Sequence, residues 1–196
     1  AAIVVTPGCG ASDEAFLEDE YFVAEAEEAL IAGTNLALGK TATSSSIAYG
    51  ADPSRAIDGN TNGLWAGGSI AHTLNDVNPW IQVDLQSPQF IGTVVLWGRT
   101  DCCSDQLSDL KVRVSDDQAN WQDFTFAGAV VNQTTFAINR SARYVRVQLN
   151  GSTGRYMTLA ELQVFGPPNL AQGKTATQSS TIAGGVPSRA VDGITS

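Results

Sequence analysis

Two stretches of this sequence recur almost unchanged 134 residues further on, and that interval sets the size of the unit into which the chain can fold. Asn35-Leu-Ala-Leu-Gly-Lys-Thr-Ala-Thr43 returns as Asn169-Leu-Ala-Gln-Gly-Lys-Thr-Ala-Thr177, and Pro53-Ser-Arg-Ala-Ile-Asp-Gly59 returns as Pro187-Ser-Arg-Ala-Val-Asp-Gly193. Repeats of roughly 20–50 residues build solenoids and propellers, whereas so long a period marks a tandem array of domains. The expected division is an acidic segment over 1–34, a complete domain over 35–166, and a linker with the start of a second domain over 167–196. Pro167-Pro168 forms a stiff junction. The second copy stops opposite Asn62, and the chain is therefore expected to be a piece of a longer multi-domain protein.

Within the complete copy the hydrophobic period is two. Leu110, Val112 and Val114 alternate with Lys111 and Arg113, and Val145, Val147 and Leu149 alternate with Tyr144, Arg146 and Gln148. Each pattern gives a strand one buried face. Further strands are expected at Trp80–Leu85, Phe90–Trp97, Phe124–Ala129 and Leu159–Phe165, separated by Gly, Asn, Asp and Ser clusters that favour turns. No helical period of useful length interrupts them. Many short strands over some 130 residues predict an all-β antiparallel sandwich, with Trp80 and Trp97 in its core.

Charge is unevenly spread. Residues 1–34 hold eight acidic and no basic side chains, which accounts for most of the net charge of -9. The segment from Asn35 to Gly166 has nine basic and eleven acidic side chains and is close to neutral. A nucleic-acid groove or an anionic-lipid surface needs a basic field, so neither is expected. No run of apolar residues reaches the length of a membrane span. In the acidic segment Ser12 can cap, and Gly33 can end, an amphipathic helix with Leu17, Tyr21, Ala24 and Ile31 near one face. Its roles open at this point are a solvated lead-in to the domain or a docking helix for a partner or another protomer.

The chain's one histidine, His72, is followed after 26 residues by Arg99-Thr100-Asp101-Cys102-Cys103. Taken singly, a histidine is usually a hydrogen-bonded structural residue, an Arg-x-Asp triplet a local ion pair, and short motifs match by chance. A disulfide ordinarily joins alpha carbons about 4.4–6.8 Å apart, so geometry alone leaves Cys102 and Cys103 as two free thiols. Cys9 is an odd third, free or paired outside the chain. Spacing and company change the weighting, since His, Arg, Asp and an adjacent cysteine pair coincide.

This group resembles the sugar-binding signature of F-type lectins, the fucolectins. Their pattern is His, 26 residues, Arg, any residue, Asp, four residues, then Arg or Lys, usually with adjacent cysteines after the Asp. The departure is Gln106, where the family has a basic residue. The resemblance implies the galactose-binding-like jelly roll shared with discoidin (F5/8 type C-like) domains, preceded here by the acidic helix. It also implies a vicinal Cys102–Cys103 disulfide whose flat apolar face packs on a sugar ring. Arg99 and His72 would donate hydrogen bonds to a terminal L-fucose-type sugar, and Asp101 would orient Arg99. Gln106 keeps hydrogen-bonding capacity but loses charge, and a charge-assisted bond is worth about 1.5–3 kcal/mol against about 1 for a neutral one. Arg113 or another basic side chain is a candidate to compensate.

A second constellation is similar to the loops that hold a structural calcium in the same family. Carried over by position, Asp58 and Glu161 would supply carboxylate oxygens and Ser69 its hydroxyl. Arg55, Asn60 and Ala160 would supply backbone carbonyls. Hard oxygen donors around two carboxylates suit Ca2+. Taken without the sugar motif, Asp58-Gly59-Asn60 is an ordinary turn. In the second copy Ile194 stands at the Asn60 position, which a carbonyl ligand tolerates.

The expected function is therefore a secreted, non-catalytic, calcium-containing lectin for fucosylated glycans, working as a homo-oligomer or a multi-domain array. Two alternatives share the fold: a carbohydrate-binding module of a larger enzyme, and a discoidin-type adhesion or lipid-binding domain. No paired catalytic carboxylates or Ser/His/Asp arrangement stands out. Asn132-Gln-Thr, Asn139-Arg-Ser and Asn150-Gly-Ser are glycosylation sequons that matter only in a eukaryotic secretory route.

Overall fold

The computed structural model describes residues 33–192. The expected acidic helix, Cys9 and Ile194 lie outside the described residues. Among the described residues ten strands follow one another: β1 Thr41–Ser44, β2 Ala71–His72, β3 Asp76–Val77, β4 Trp80–Trp97, β5 Ser108–Ser115, β6 Gln122–Ala129, β7 Gln133–Leu149, β8 Gly154–Arg155, β9 Thr158–Leu159 and β10 Glu161–Phe165. Helical turns among the described residues are short 3-10 segments, at Pro53–Ile57, Trp65–Gly67, Ser104–Leu107 and Pro187–Ala190. The fold is the expected all-β antiparallel jelly roll of galactose-binding-like type.

The main sheet runs β1-β4-β7-β5-β6, with β10 pairing the second half of β4, and every pairing is antiparallel. Two short ladders, β2 with β9 and β3 with β8, tie the loops at one end. The long strand β4 replaces the two separate strands expected at Trp80–Leu85 and Phe90–Trp97. Its register against β7 shifts between Asp84 and Gln89 and again between Ile91 and Thr93. Such irregularities bend a strand and change which parity faces inward. Ile81, Val83 and Leu85 are buried on one side of them, and Val94 and Leu96 on the other, so both halves of β4 feed one core.

The same physics corrects two further expectations. Trp80 shares its parity with Gln82 and Asp84, on the face opposite Ile81 and Val83, and it is half-buried outside the core. The Arg146 guanidinium lies 4.2 Å from its ring centroid and 4.4 Å from that of Trp121. Trp97, at the end of β4, is also half-buried, and its Nε1 donates to Gln163 Oε1 at 3.0 Å. Strand β7 begins at Gln133, earlier than the alternation at Tyr144 suggested, because its first half is interrupted by a left-handed Asn139 (φ 51°). Strand β1 carried no apolar alternation and was missing from the expected set; backbone pairing to Ile81–Asp84 forms it.

Candidate functional site

The loops at the end closed by the short ladders gather the motif residues. Between Asp58 and Leu64 a run of side-chain turns steps forward two residues at a time: Asn60 N donates to Asp58 Oδ1 at 2.8 Å, Asn62 N to Asn60 Oδ1 at 3.1 Å, and Leu64 N to Asn62 Oδ1 at 3.0 Å. Asp and Asn make such turns because their short side chains reach the backbone two residues on. The run delivers Trp65 to the site. Gly63 lets this loop lie directly on the Arg99 loop, since a Cβ there would meet Gly98 O at 2.7 Å, and Gly98 in turn lies close to Val130, whose O a Cβ would meet at 2.7 Å.

His72 sits on β2 with 5% of its surface exposed, enclosed by the ring edges of Tyr49, Trp65 and Tyr156 at centroid distances of 5.3, 5.7 and 5.7 Å. Its Nδ1 lies 2.6 Å from Thr73 O. A carbonyl can only accept, so Nδ1 carries the hydrogen. Burial pushes the imidazole pKa below its ordinary value; the Thr73 carbonyl opposes this and the Arg99 charge adds to it. With its hydrogen on Nδ1, the neutral ring leaves Nε2 as an acceptor.

Arg99 and Asp101 form an ion pair, with Nε 2.5 Å from Oδ1 and Nη2 3.3 Å from Oδ2. The hydrogen bond from Arg99 holds the Asp101 carboxyl below the usual carboxylate range. Asp101 Oδ2 also accepts from Trp65 N at 3.1 Å, and the Arg99 guanidinium lies 5.0 Å from the Trp65 ring centroid. Asp101 thus fixes both the guanidinium and the loop beneath it. Two of the five N–H groups of Arg99 face Asp101.

Cys102 and Cys103 are joined as a disulfide across alpha carbons 3.8 Å apart, which corrects the free-thiol reading that geometry alone had favoured. Cys103 adopts the left-handed region (φ 59°) as the chain turns there into Ser104–Leu107. Gln106 rides on that turn, its N–H donating to Cys103 O at 2.9 Å. Its Oε1 is buried and meets no protein donor. Arg113 does not compensate for it: on the outer face of β5 it is held by Asp123 at 2.7 Å and Gln148 at 3.1 Å.

The second constellation is assembled in part. Asp58 ends the Pro53–Ile57 turn, and the next residue, Gly59, donates its N–H to Glu161 Oε1 at 3.0 Å. Glu161 is fully buried on β10, and its Oε2 has no hydrogen-bond partner. Burial first, and the charge of Asp58 as well, push its pKa up to about 7, against the pull of the Gly59 amide. Ser69 is buried and its Oγ donates to Asn62 O. Ala160, next to Glu161, is buried, while Asn60 is exposed and Arg55 half-buried. Among the described residues no three His, Cys, Asp or Glu side chains converge. Two carboxylates supplemented by carbonyls fit that description, and a buried carboxylate oxygen without a donor is one that a cation would satisfy.

Sequence reasoning missed Tyr49, Trp65 and Tyr156. Each is a large aromatic in a turn-rich stretch outside any strand period, and Tyr49 is 77% exposed. That placement was the available signal, because an exposed aromatic on a loop has no core to explain it.

Residues 55–147 match the family described as NedA-like, galactose-binding domain. Fucolectin-5 of Anguilla japonica is 31% identical over 166 residues, covering 78% of this chain and 82% of the relative. The pentraxin fusion protein of Xenopus laevis is 29% identical over 133 residues, covering 64% of this chain, which spans only 32% of that longer relative. Among solved structures, a fucose binding module of Streptococcus pneumoniae superposes with a TM-score of 0.65 at 34% identity, covering 68% of this chain and 95% of the module. Among the described residues no helix is long and apolar enough to cross a membrane. With the His72, Arg99 and cysteine-pair geometry in place beside these matches, the chain belongs to the fucolectin, or F-type lectin, family.

Proposed function

We propose that this protein is a secreted, non-catalytic lectin that binds terminal L-fucose-type sugars on glycans at the site of His72, Arg99, Asp101, Cys102, Cys103 and Gln106. The observation that carries the reading is Arg99 locked by Asp101 and Trp65 beside a buried neutral His72. Together they offer fixed cationic donors and one acceptor, the complement of a sugar edge that both accepts and donates. The Arg99 N–H groups bind ring or hydroxyl oxygens, and His72 Nε2 accepts from one hydroxyl. The exposed Cys102 and half-buried Cys103 supply an apolar surface for the ring face or methyl group.

The orphaned Glu161 Oε2 supports a structural Ca2+ held by Asp58, Glu161 and Ser69 with the carbonyls of Arg55, Asn60 and Ala160. Such an ion would neutralise the buried carboxylate and fix the loop that carries Trp65. It takes no part in sugar chemistry. The test is retention on immobilised L-fucose: the protein should be held and released by free L-fucose, and a chelator should weaken retention. Passage through the column unretained, with calcium in excess, contradicts the reading.

A further inference from the structure

Arg155 lies outside every motif in the sequence, and among the described residues no carboxylate pairs with its guanidinium. It binds main chain instead. Nη1 donates to Ser108 O at 3.2 Å and Asn150 O at 3.1 Å, while Nη2 donates to Asp105 O at 2.8 Å and Ser108 Oγ at 2.7 Å. Asp105 lies within, and Ser108 ends, the turn that carries Gln106 and follows directly from the cysteine pair. One side chain therefore clamps the end of that turn to the chain after β7.

The backbone of the same segment reaches the other half of the site. Arg155 pairs with Asp76 in the β3–β8 ladder. Tyr156 sets its ring edge against His72, Met157 N donates to Thr73 Oγ1 at 3.0 Å, and Thr158 pairs with His72. Residues 155–158 thus form a strut with the His72 strand along its length and the Gln106 turn hung from its first side chain. A planar fork with several donors can span separate carbonyls in this way, and a lysine ammonium cannot hold the same geometry.

We infer that Arg155 is a positioning residue for sugar binding: it sets the separation between His72 and the turn bearing Cys103 and Gln106, without touching the ligand. This rests on the proposed lectin function. Misplacing binding groups by a fraction of their bond length weakens a polar site sharply, because each hydrogen bond depends on distance and angle.

The experiment is calorimetric titration with a methyl fucoside, calcium in excess, with near-ultraviolet circular dichroism verifying that each variant is folded. Arg155→Gln should bind about tenfold more weakly than the wild type, equivalent to one or two lost hydrogen bonds. Arg155→Lys should restore only part of that loss. Gln106→Arg should strengthen the wild type but add little in the Arg155→Gln background, a coupling that general destabilisation would not produce. If neither Arg155 variant folds, Ser108→Ala removes one bond of the clamp, and the same reduced gain from Gln106→Arg is expected there. Wild-type affinity in Arg155→Gln, or an equal gain from Gln106→Arg in both backgrounds, overturns the inference and leaves the lectin reading standing. A wild type that binds no fucoside overturns both.

Discussion

The two copies of the repeated sequence form nearly the same local structure and, among the described residues, differ in burial. Asn35 Oδ1 accepts from Ala37 N at 3.1 Å, and Asn169 Oδ1 accepts from Ala171 N at 3.1 Å. Lys40 N donates to Ala37 O and Lys174 N to Ala171 O, both at 3.1 Å, and Gly39 and Gly173 both take φ 69°. Pro53–Ile57 and Pro187–Ala190 are both 3-10 turns. Yet Ala37, Ala56 and Ile57 are 0%, 0% and 2% exposed, while Ala171 and Ala190 are exposed and Val191 is half-exposed. The difference is what packs on them. In the first copy Leu36 N donates to Val164 O and Val164 N to Asn35 Oδ1, docking the loop onto β10. Among the described residues no strand follows Phe165 to do the same for the second copy. Turn chemistry is written in a dozen residues; burial is written in the rest of the domain.

The sharpest way to break this comparison is to put the same charge into both copies. Ala56→Asp buries an unpaired carboxylate and should cost at least about 3 kcal/mol, enough to prevent or cripple folding. Ala190→Asp should leave the urea midpoint unchanged. Equal losses would mean that the second copy is buried after all. A milder version truncates one side chain in each: Ile57→Ala should cost about 2–4 kcal/mol and Val191→Ala less than about 0.5.

The proposed calcium site supplies a third contrast, because the first copy's loop is backed by Glu161 and the second copy's has no described counterpart to it. If calcium is present at about one hundred times its dissociation constant, chelation should remove about 2.7 kcal/mol of stability. Glu161→Gln should abolish that response in a thermal scan, and the Asp192→Asn change in the second copy should leave it intact. A chelator effect that survives Glu161→Gln would move the ion elsewhere.

The smallest expected effect is of pH, and it belongs to the first copy alone because only that copy has a histidine. The His72 pKa is lowered on folding, so the unfolded chain takes up the proton first. Stability gained from the neutral ring is complete above the ordinary imidazole range and declines as pH falls through that range toward the lowered value. Fucoside affinity should follow, falling about five- to tenfold as Nε2 is protonated and ceases to accept. Affinity that stays flat while pH falls through the titration of the His72 ring, followed by NMR and with calcium in excess, would show that Nε2 is not the acceptor.

The comparison also explains what could be read from the residues alone. The Asp58-Gly59-Asn60 turn, the inward sets of β5 and the C-terminal half of β7, and the offset from His72 to Arg99 are local or strictly periodic, so the sequence carries them openly. The long bent strand β4 was not legible, because a shift of register between β4 and β7 depends on both strands together. Trp80 and Trp97 misled because large apolar rings in a strand suggest a core, whereas parity and a stacked Arg146 decide the face. Tyr49, Trp65 and Tyr156 reach His72 from three separate loops, and no one-dimensional spacing connects them. The tautomer of His72 followed only once Thr73 O was located against Nδ1.

The central claim is that the Arg99 site binds fucose. Its most direct test is calorimetric titration of the wild type and Arg99→Ala with a methyl fucoside at neutral pH and excess calcium, alongside thermal unfolding of both. The wild type should give saturable binding at one site per chain. Arg99→Ala should give none while unfolding within a few degrees of the wild type, as expected for loss of an ion pair that is partly solvated. Binding undiminished by Arg99→Ala, or absent from the wild type at millimolar fucoside, would contradict the account.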